Sequence, residues 1–457
     1  MTIQRNEFPA AFTWGTATAS YQIEGAVAED GRGASIWDTF ARQPGAIADG
    51  HTGDIADDHY HRAAEDVSLM ADLGVAAYRF SIAWPRIQPL GTGAANAAGI
   101  GFYRDLAEKL LEAGITPWAT LYHWDLPQAL ENCGGWLARD TAYKFGDYAA
   151  LVAGELGDVI SNWITLNEPW CSAFLGYGSG HHAPGRHEGT RSAHAAHHLL
   201  LGHGLALPAI RSAVPKANVG VTLNLYSVRA ASDSEADRDA ARRIDGLSNR
   251  LFLDPVLTGA YPADVIDDLG ERDWFDANAT TADLGAISAP IDFLGINYYS
   301  RHTAKAGTAD GSPSANPGSE FVEFADSGAA RTQMGWEIHP DGLIDVVEMA
   351  NAKAPNLPLY ITENGSAYED VVEADGTVND LERLDYLQAH LTACRGAIAR
   401  GLPLAGYFVW SLMDNFEWAW GYTRRFGIVY VDFDTQVRTP KVSGLWLRRF
   451  LHGASDG

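Results

Sequence analysis

The sequence predicts an α/β protein, a single closed (β/α)8 barrel, from three observations. Eight short runs rich in β-branched and aromatic residues recur along the 457 residues. A longer segment of helical periodicity follows each. Polar or aromatic residues close each run, as expected where barrel strands end in an active site.

The runs are FTWGTATAS (12–20), AAYRFSIAW (76–84), ITPWATLYHW (115–124), NWITLNEPW (162–170), NVGVTLNLY (218–226), IDFLGINYYS (291–300), LYITENG (359–365) and AGYFVWSLMD (405–414). Between them, FYRDLAEKLLEAG (102–114), with Gly114 as its stop, and LERLDYLQAHLTACRGAIARG (381–401) read as helices. Strand and helix alternating eight times means parallel strands with crossover helices. No G-x-G-x-x-G follows the first strand, and GYGSG (176–180) has the wrong spacing, so an open dinucleotide-binding sheet is disfavoured. No repeat or linker divides the chain, and 1–457 is expected to be one catalytic barrel. The Gly-, Ala-, Ser- and Pro-rich stretch 303–332 reads as a long loop after the sixth strand.

Composition narrows the function. A hydrophobic content of 46% with 14 tryptophans supports a large core, and a formal charge of −25 disfavours nucleic acid or anionic membranes as partners. Cys133, Cys171 and Cys394 form neither a disulfide framework nor a thiolate metal site. No basic-then-apolar leader opens the sequence and no run of about 18 apolar residues occurs, so a cytoplasmic location is expected. The sequence assigns no oligomeric state.

The residues closing the runs carry the chemistry: Gln22 with Glu24, Arg79, His123 with Trp124, Asn167 with Glu168, Asn297 with Tyr299, Glu363, and Trp410. Glu168 and Glu363 end strands four and seven, which a barrel can set facing each other. Either alone would read as a barrel-rim ion pair. Two facing carboxylates suit glycoside hydrolysis, one as proton donor and the other as nucleophile or as base toward water. Asn167 can bond a sugar 2-hydroxyl, while Arg79 and Tyr299 can hold Glu363 ionised. Pro169, Trp170 and the nearby Glu363 charge should raise the pKa of Glu168. In WSLMDNFEWAWGYTRRFG (410–427), the faces of Trp410, Trp418 and Trp420 suit a pyranose and Glu417 can accept two sugar hydroxyls. His194 and His198 have a metal-like spacing, but no H-E-x-x-H accompanies them and no metal is expected.

With these residues in hand, the sequence closely resembles glycoside hydrolase family 1, the β-glucosidase family. The likeness runs from FTWGTATASYQIEG (12–25) through YRFSIAWPRI, TLYHWDLP, TLNEPW, NYYS, ITENG and WSLMDNFEWAWGY to KVSG (441–444). It implies a (β/α)8 TIM barrel that hydrolyses β-glycosides with retention, without metal or organic cofactor. Its substrates would be small β-glucosides or cello-oligosaccharides. By motif, Glu168 matches the acid/base and Glu363 the nucleophile. Gln22, His123, Trp124, Asn167, Trp410, Glu417, Trp418 and Phe426 match positions that bind the non-reducing sugar, and Trp336 a position on the leaving-group side. Glu168 excludes the branch with Gln there. The 6-phospho branch has Ser where Glu417 stands, and a carboxylate there should repel a phosphate dianion. A 6-phospho-β-glycosidase, a transglycosylase and a sugar-binding barrel without catalysis remain the alternatives.

Overall fold

The computed structural model describes residues 3–453. Its centre is a closed barrel of eight parallel strands, β1 (Thr13–Ala17), β2 (Ala77–Ser81), β3 (Thr116–Tyr122), β4 (Asn162–Asn167), β5 (Asn218–Asn224), β6 (Phe293–Asn297), β7 (Leu359–Asn364) and β8 (Leu404–Trp410), paired in chain order with β8 closing on β1. Each falls within, or within one residue of, one of the eight runs. The strands read as continuous apolar runs because helices cover them outside and side chains fill them inside.

Trp118, Phe293, Tyr360 and Phe408 fill one end of the barrel, with the Trp118 ring 4.9–5.3 Å from the other three. Glycine makes room for these rings: a Cβ on Gly220 would stand 2.7 Å from the Phe293 ring, and one on Gly406 2.6 Å from the Tyr360 ring. This plug leaves the C-terminal strand ends as the open face.

The helix read at 102–114 runs Ala97–Glu112, starting earlier because the Asn96 side chain accepts from the Ala98 N–H at 3.3 Å. Gly114 follows at φ +75°, a backbone that favours glycine. The second helix spans Leu381–Ala399. The histidine run lies in helix Ser192–Ala213, where each ring has a packing role. His203 pairs with Thr165 at 2.7 Å, His198 with the Trp136 carbonyl at 2.9 Å and His197 with Tyr261 at 3.0 Å, and His194 stacks on Trp274 at 3.8 Å. Among the described residues, no group of three or more His, Cys, Asp or Glu side chains is placed to hold a metal ion.

The 303–332 stretch is not simply a loop. Arg301–Ala306 pairs antiparallel with Val322–Phe324 and parallel with Ser227–Ala230 in a three-stranded sheet. Ala304 and Val322 pack there with Ala240 and Ile244 of helix Glu235–Asp245. Two strands of six and three residues, set among Gly, Ser and Pro, leave too little alternation to be seen. KVSG has a structural reason: the buried Lys441 ammonium bonds Asp370 at 2.5 Å and Asp414 at 2.6 Å, tying the C-terminal segment to the loops after β7 and β8.

Candidate active site

The polar residues that close the runs converge on the open face. Glu363 lies in β7, one position before its end, and Asn167 and Asn297 end β4 and β6. Three non-glycine residues here have left-handed backbones: Trp124 (φ +76°), Glu168 (φ +47°) and Trp418 (φ +48°). Such conformations cost energy and persist only where surrounding bonds enforce them. At Glu168 the amide donates to the Thr222 carbonyl at 2.9 Å, and its carbonyl accepts from Cys171 at 3.0 Å.

The two carboxylates are held differently. Glu363 Oε1 accepts from Arg79 Nη1 at 2.6 Å, and Oε2 accepts from the Tyr299 hydroxyl at 2.6 Å. The buried Arg79 spends its other donors on the Thr362 carbonyl (3.1 Å), Thr120 Oγ1 (3.2 Å) and Asn167 Oδ1 (2.6 Å). Glu168 Oε1 accepts from Asn297 Nδ2 at 2.8 Å, and Oε2 accepts from the Cys171 thiol at 3.4 Å. Asn297 Nδ2 also donates to Asn167 Oδ1 at 3.0 Å, while Asn297 Oδ1 accepts from Thr362 Oγ1 at 2.7 Å. Because Arg79 only donates, Asn167 must turn its oxygen toward it. Its Nδ2 then donates to His123 Nε2 at 3.0 Å, which leaves the imidazole hydrogen on Nδ1.

Burial is the first cause that moves these groups. It pushes the Glu168 carboxyl up to about 8, assisted by the negative charge of Glu363 and opposed by Asn297, Cys171 and Arg79. Burial raises Glu363 as well, but the Arg79 charge and the Tyr299 hydroxyl pull against it. Of this coupled pair, Glu363 keeps the charge and Glu168 keeps the proton. Glu417 is also pushed up to about 8, by burial and then by Glu363 and Glu168, so a neutral carboxyl stands where the sequence suggested a charged one. Burial keeps His123 neutral.

The open face holds a cavity of about 410 Å³. Glu168, Glu363 and Glu417 line it with His123, Trp124, Tyr299, Trp336, Trp410, Trp418 and Phe426. The Trp124 and Trp418 rings lie 4.4 Å apart, and Trp124 Nε1 donates to the Asn167 carbonyl at 3.0 Å. Arg79, Asn167 and Asn297 stand behind this wall and fix its carboxylates. Gln22 also stands behind it, its amide donating to Asn415 Oδ1 at 2.9 Å, the Phe416 carbonyl at 3.0 Å and Glu417 Oε2 at 3.4 Å. Glu24, which closes the same run, turns away to Arg86 (3.0 Å) and Tyr103 (2.6 Å). The sequence reading missed Cys171, Leu175, His181, His182, Tyr226 and Met334, which complete the wall with Trp170, Ala419 and Trp420. Only Tyr226 and Cys171 carried a signal, one closing the fifth run and the other lying one turn after Glu168.

A parallel barrel with two buried, unequally held carboxylates at its C-terminal strand ends defines a glycoside hydrolase. The family model described as Glycosyl hydrolase family 1 matches residues 4–454, and the chain belongs to that family. It is 51% identical to the thermostable beta-glucosidase B of Thermobispora bispora, covering 96% of this chain and 90% of the relative. It is 48% identical to a bifunctional beta-D-glucosidase/beta-D-fucosidase of Bifidobacterium breve, covering 97% and 98%. The Thermotoga maritima beta-glucosidase solved with deoxynojirimycin superposes with a TM-score of 0.92 at 45% identity, covering 98% of both chains.

Proposed function

We propose that this protein is a retaining β-glucosidase in which Glu363 is the nucleophile and Glu168 the acid/base. The observation that carries the assignment is the unequal environment of the two carboxylates. Glu363 is bonded on both oxygens to Arg79 and Tyr299, as an ionised nucleophile needs, while burial holds the proton on Glu168. Retention requires the two carboxylates to stand roughly 5–5.5 Å apart. Inverting enzymes hold theirs roughly 6.5–9.5 Å apart.

Glu363 attacks the anomeric carbon as Glu168 protonates the departing oxygen. The ester that forms removes the Glu363 charge, so the Glu168 pKa falls and the same group can take a proton from water. Trp410, Trp418 and Phe426 would face the sugar C–H surface, with Glu417 and His123 supplying hydroxyl contacts and Gln22 holding Glu417 from behind.

Free rather than phosphorylated sugars are favoured. Glu417 at about 8 makes simple charge repulsion a weaker argument than the sequence suggested. The stronger one is that no residue lining the described cavity is Lys or Arg, so a dianion would find carboxyl groups and no cation. Small aryl β-glucosides and cello-oligosaccharides are the proposed substrates. The test is hydrolysis of p-nitrophenyl β-D-glucoside followed by proton NMR, where β-glucose should appear first. α-Glucose as the first product would refute retention. Phosphorylated cellobiose as the only substrate turned over would refute the free-sugar reading.

A further inference from the structure

An asparagine side chain is nearly symmetrical in shape, so packing alone does not decide which end carries the oxygen; its partners decide. For Asn297 this choice has a chemical consequence. In the observed orientation Nδ2–H faces Glu168 Oε1, so that oxygen is an acceptor and the proton of the neutral acid sits on Oε2, beside Cys171. In the reversed orientation the amide oxygen would face Glu168 and could accept its proton, diverting it from the leaving group.

We propose that Thr362 is a positioning residue that holds the Asn297 amide in the productive sense. The Thr362 hydroxyl is fully buried on β7, donates to Asn297 Oδ1 at 2.7 Å and accepts from Thr222 Oγ1 at 3.3 Å. Thr362 does not line the cavity. It therefore acts through Asn297 on Glu168, and it stands next in sequence to Glu363. Arg79 fixes the far end of the same chain by orienting Asn167. Thr362 fixes the near end, where the Asn297 carbonyl would otherwise be buried without a donor.

The proposal rests on Glu168 as proton donor, and the test separates the two claims. Thr362→Val keeps the shape and removes the hydroxyl; Thr362→Ser restores it. Thr362→Val should lower kcat/KM about 10–100-fold on cellobiose, whose leaving group needs a proton, and only a few-fold on 2,4-dinitrophenyl β-D-glucoside, whose leaving group does not. The basic limb of the kcat/KM profile should move to higher pH, because Glu168 loses a donor that favours its charged form. Opening the site to water would move it the other way. The other groups facing Glu168 are Glu363 from β7, Arg79 from β2, Glu417 from the loop after β8, Cys171 from its own turn, and Tyr226 and Tyr299, and the substitution alters none of them. Thr362→Ser should restore both readouts.

Equal losses on the two substrates, or a basic limb that stays put or moves to lower pH, would overturn the proposal. If Thr362→Val fails to fold, Thr362→Ala and Thr362→Ser are compared in the same assays with the same criteria. Glu168→Ala is the control. It should show the same leaving-group contrast in stronger form, and its absence there would overturn the role of Glu168 itself.

Discussion

Replacing Glu363 with Gln should lower the pKa of Glu168 by about two units. The substitution keeps the side-chain shape beside Arg79 and Tyr299 and removes the charge. At the roughly 5–5.5 Å separation of a retaining pair and an effective dielectric of about 20, the Coulomb term is about 3 kcal/mol, or about 2 pH units. Glu168, pushed up to about 8, should therefore titrate near about 6, still above its ordinary 4.5 because burial is unchanged. The assay is carbon-13 NMR of δ-labelled glutamate, with Glu168→Gln assigning the resonance. Wild-type enzyme trapped as its 2-fluoroglucosyl ester should show the same fall, since the ester also neutralises Glu363. A midpoint that stays near 8 in both would mean that burial alone holds the proton, and the exchange of acid and base roles would lose its physical cause.

Tyr299→Phe removes a 2.6 Å charge-assisted bond to Glu363, worth about 1.5–3 kcal/mol, so kcat/KM on p-nitrophenyl β-D-glucoside should fall ~10–100-fold with the fold intact; a loss under twofold would contradict the role. Gly365→Ala would place a Cβ 1.6 Å from the Trp410 carbonyl oxygen and should cost about 2–4 kcal/mol, read as a fall in melting temperature; an unchanged melt would refute the close approach. Stability should also depend on pH through Glu168. Its folded pKa of about 8 lies above the ordinary 4.5, so its contribution is complete below 4.5 and is lost at about 1.4 kcal/mol per pH unit as pH rises toward 8. Glu168→Gln, which cannot ionise, should therefore gain on the wild type between pH 5 and 8 in thermal melts. A constant difference across that range would refute the assignment.

The barrel could be read from the sequence because buried parallel strands leave a signal that needs no partner to interpret: β-branched runs with a polar residue at the end. Glu168 and Glu363 were legible as a pair for the same reason, each standing where such a run closes. What lay hidden depends on distant contacts. Gly365 is glycine because the Trp410 carbonyl, on the next strand, passes against it, and nothing in ITENG announces that. Glu417 carries a proton because distant parts of the chain bury it, and because two other carboxyl groups then share its cavity. Arg79 was read as a partner of Glu363, yet its bond to Asn167, which sets the polarity of the amides behind the site, follows only from the closure of β2, β4 and β6 around one centre. His182 and Met334 reach the cavity from irregular segments with no periodicity to mark them.

The assignment of the two glutamates is tested most directly by azide rescue with an activated β-glucoside. Glu363→Ala vacates the face opposite the leaving group, so azide should attack there and yield the α-glucosyl azide. Glu168→Ala still forms the glycosyl ester, and azide should then release the β-glucosyl azide. A β-azide from Glu363→Ala together with an α-azide from Glu168→Ala would reverse the roles and contradict the account.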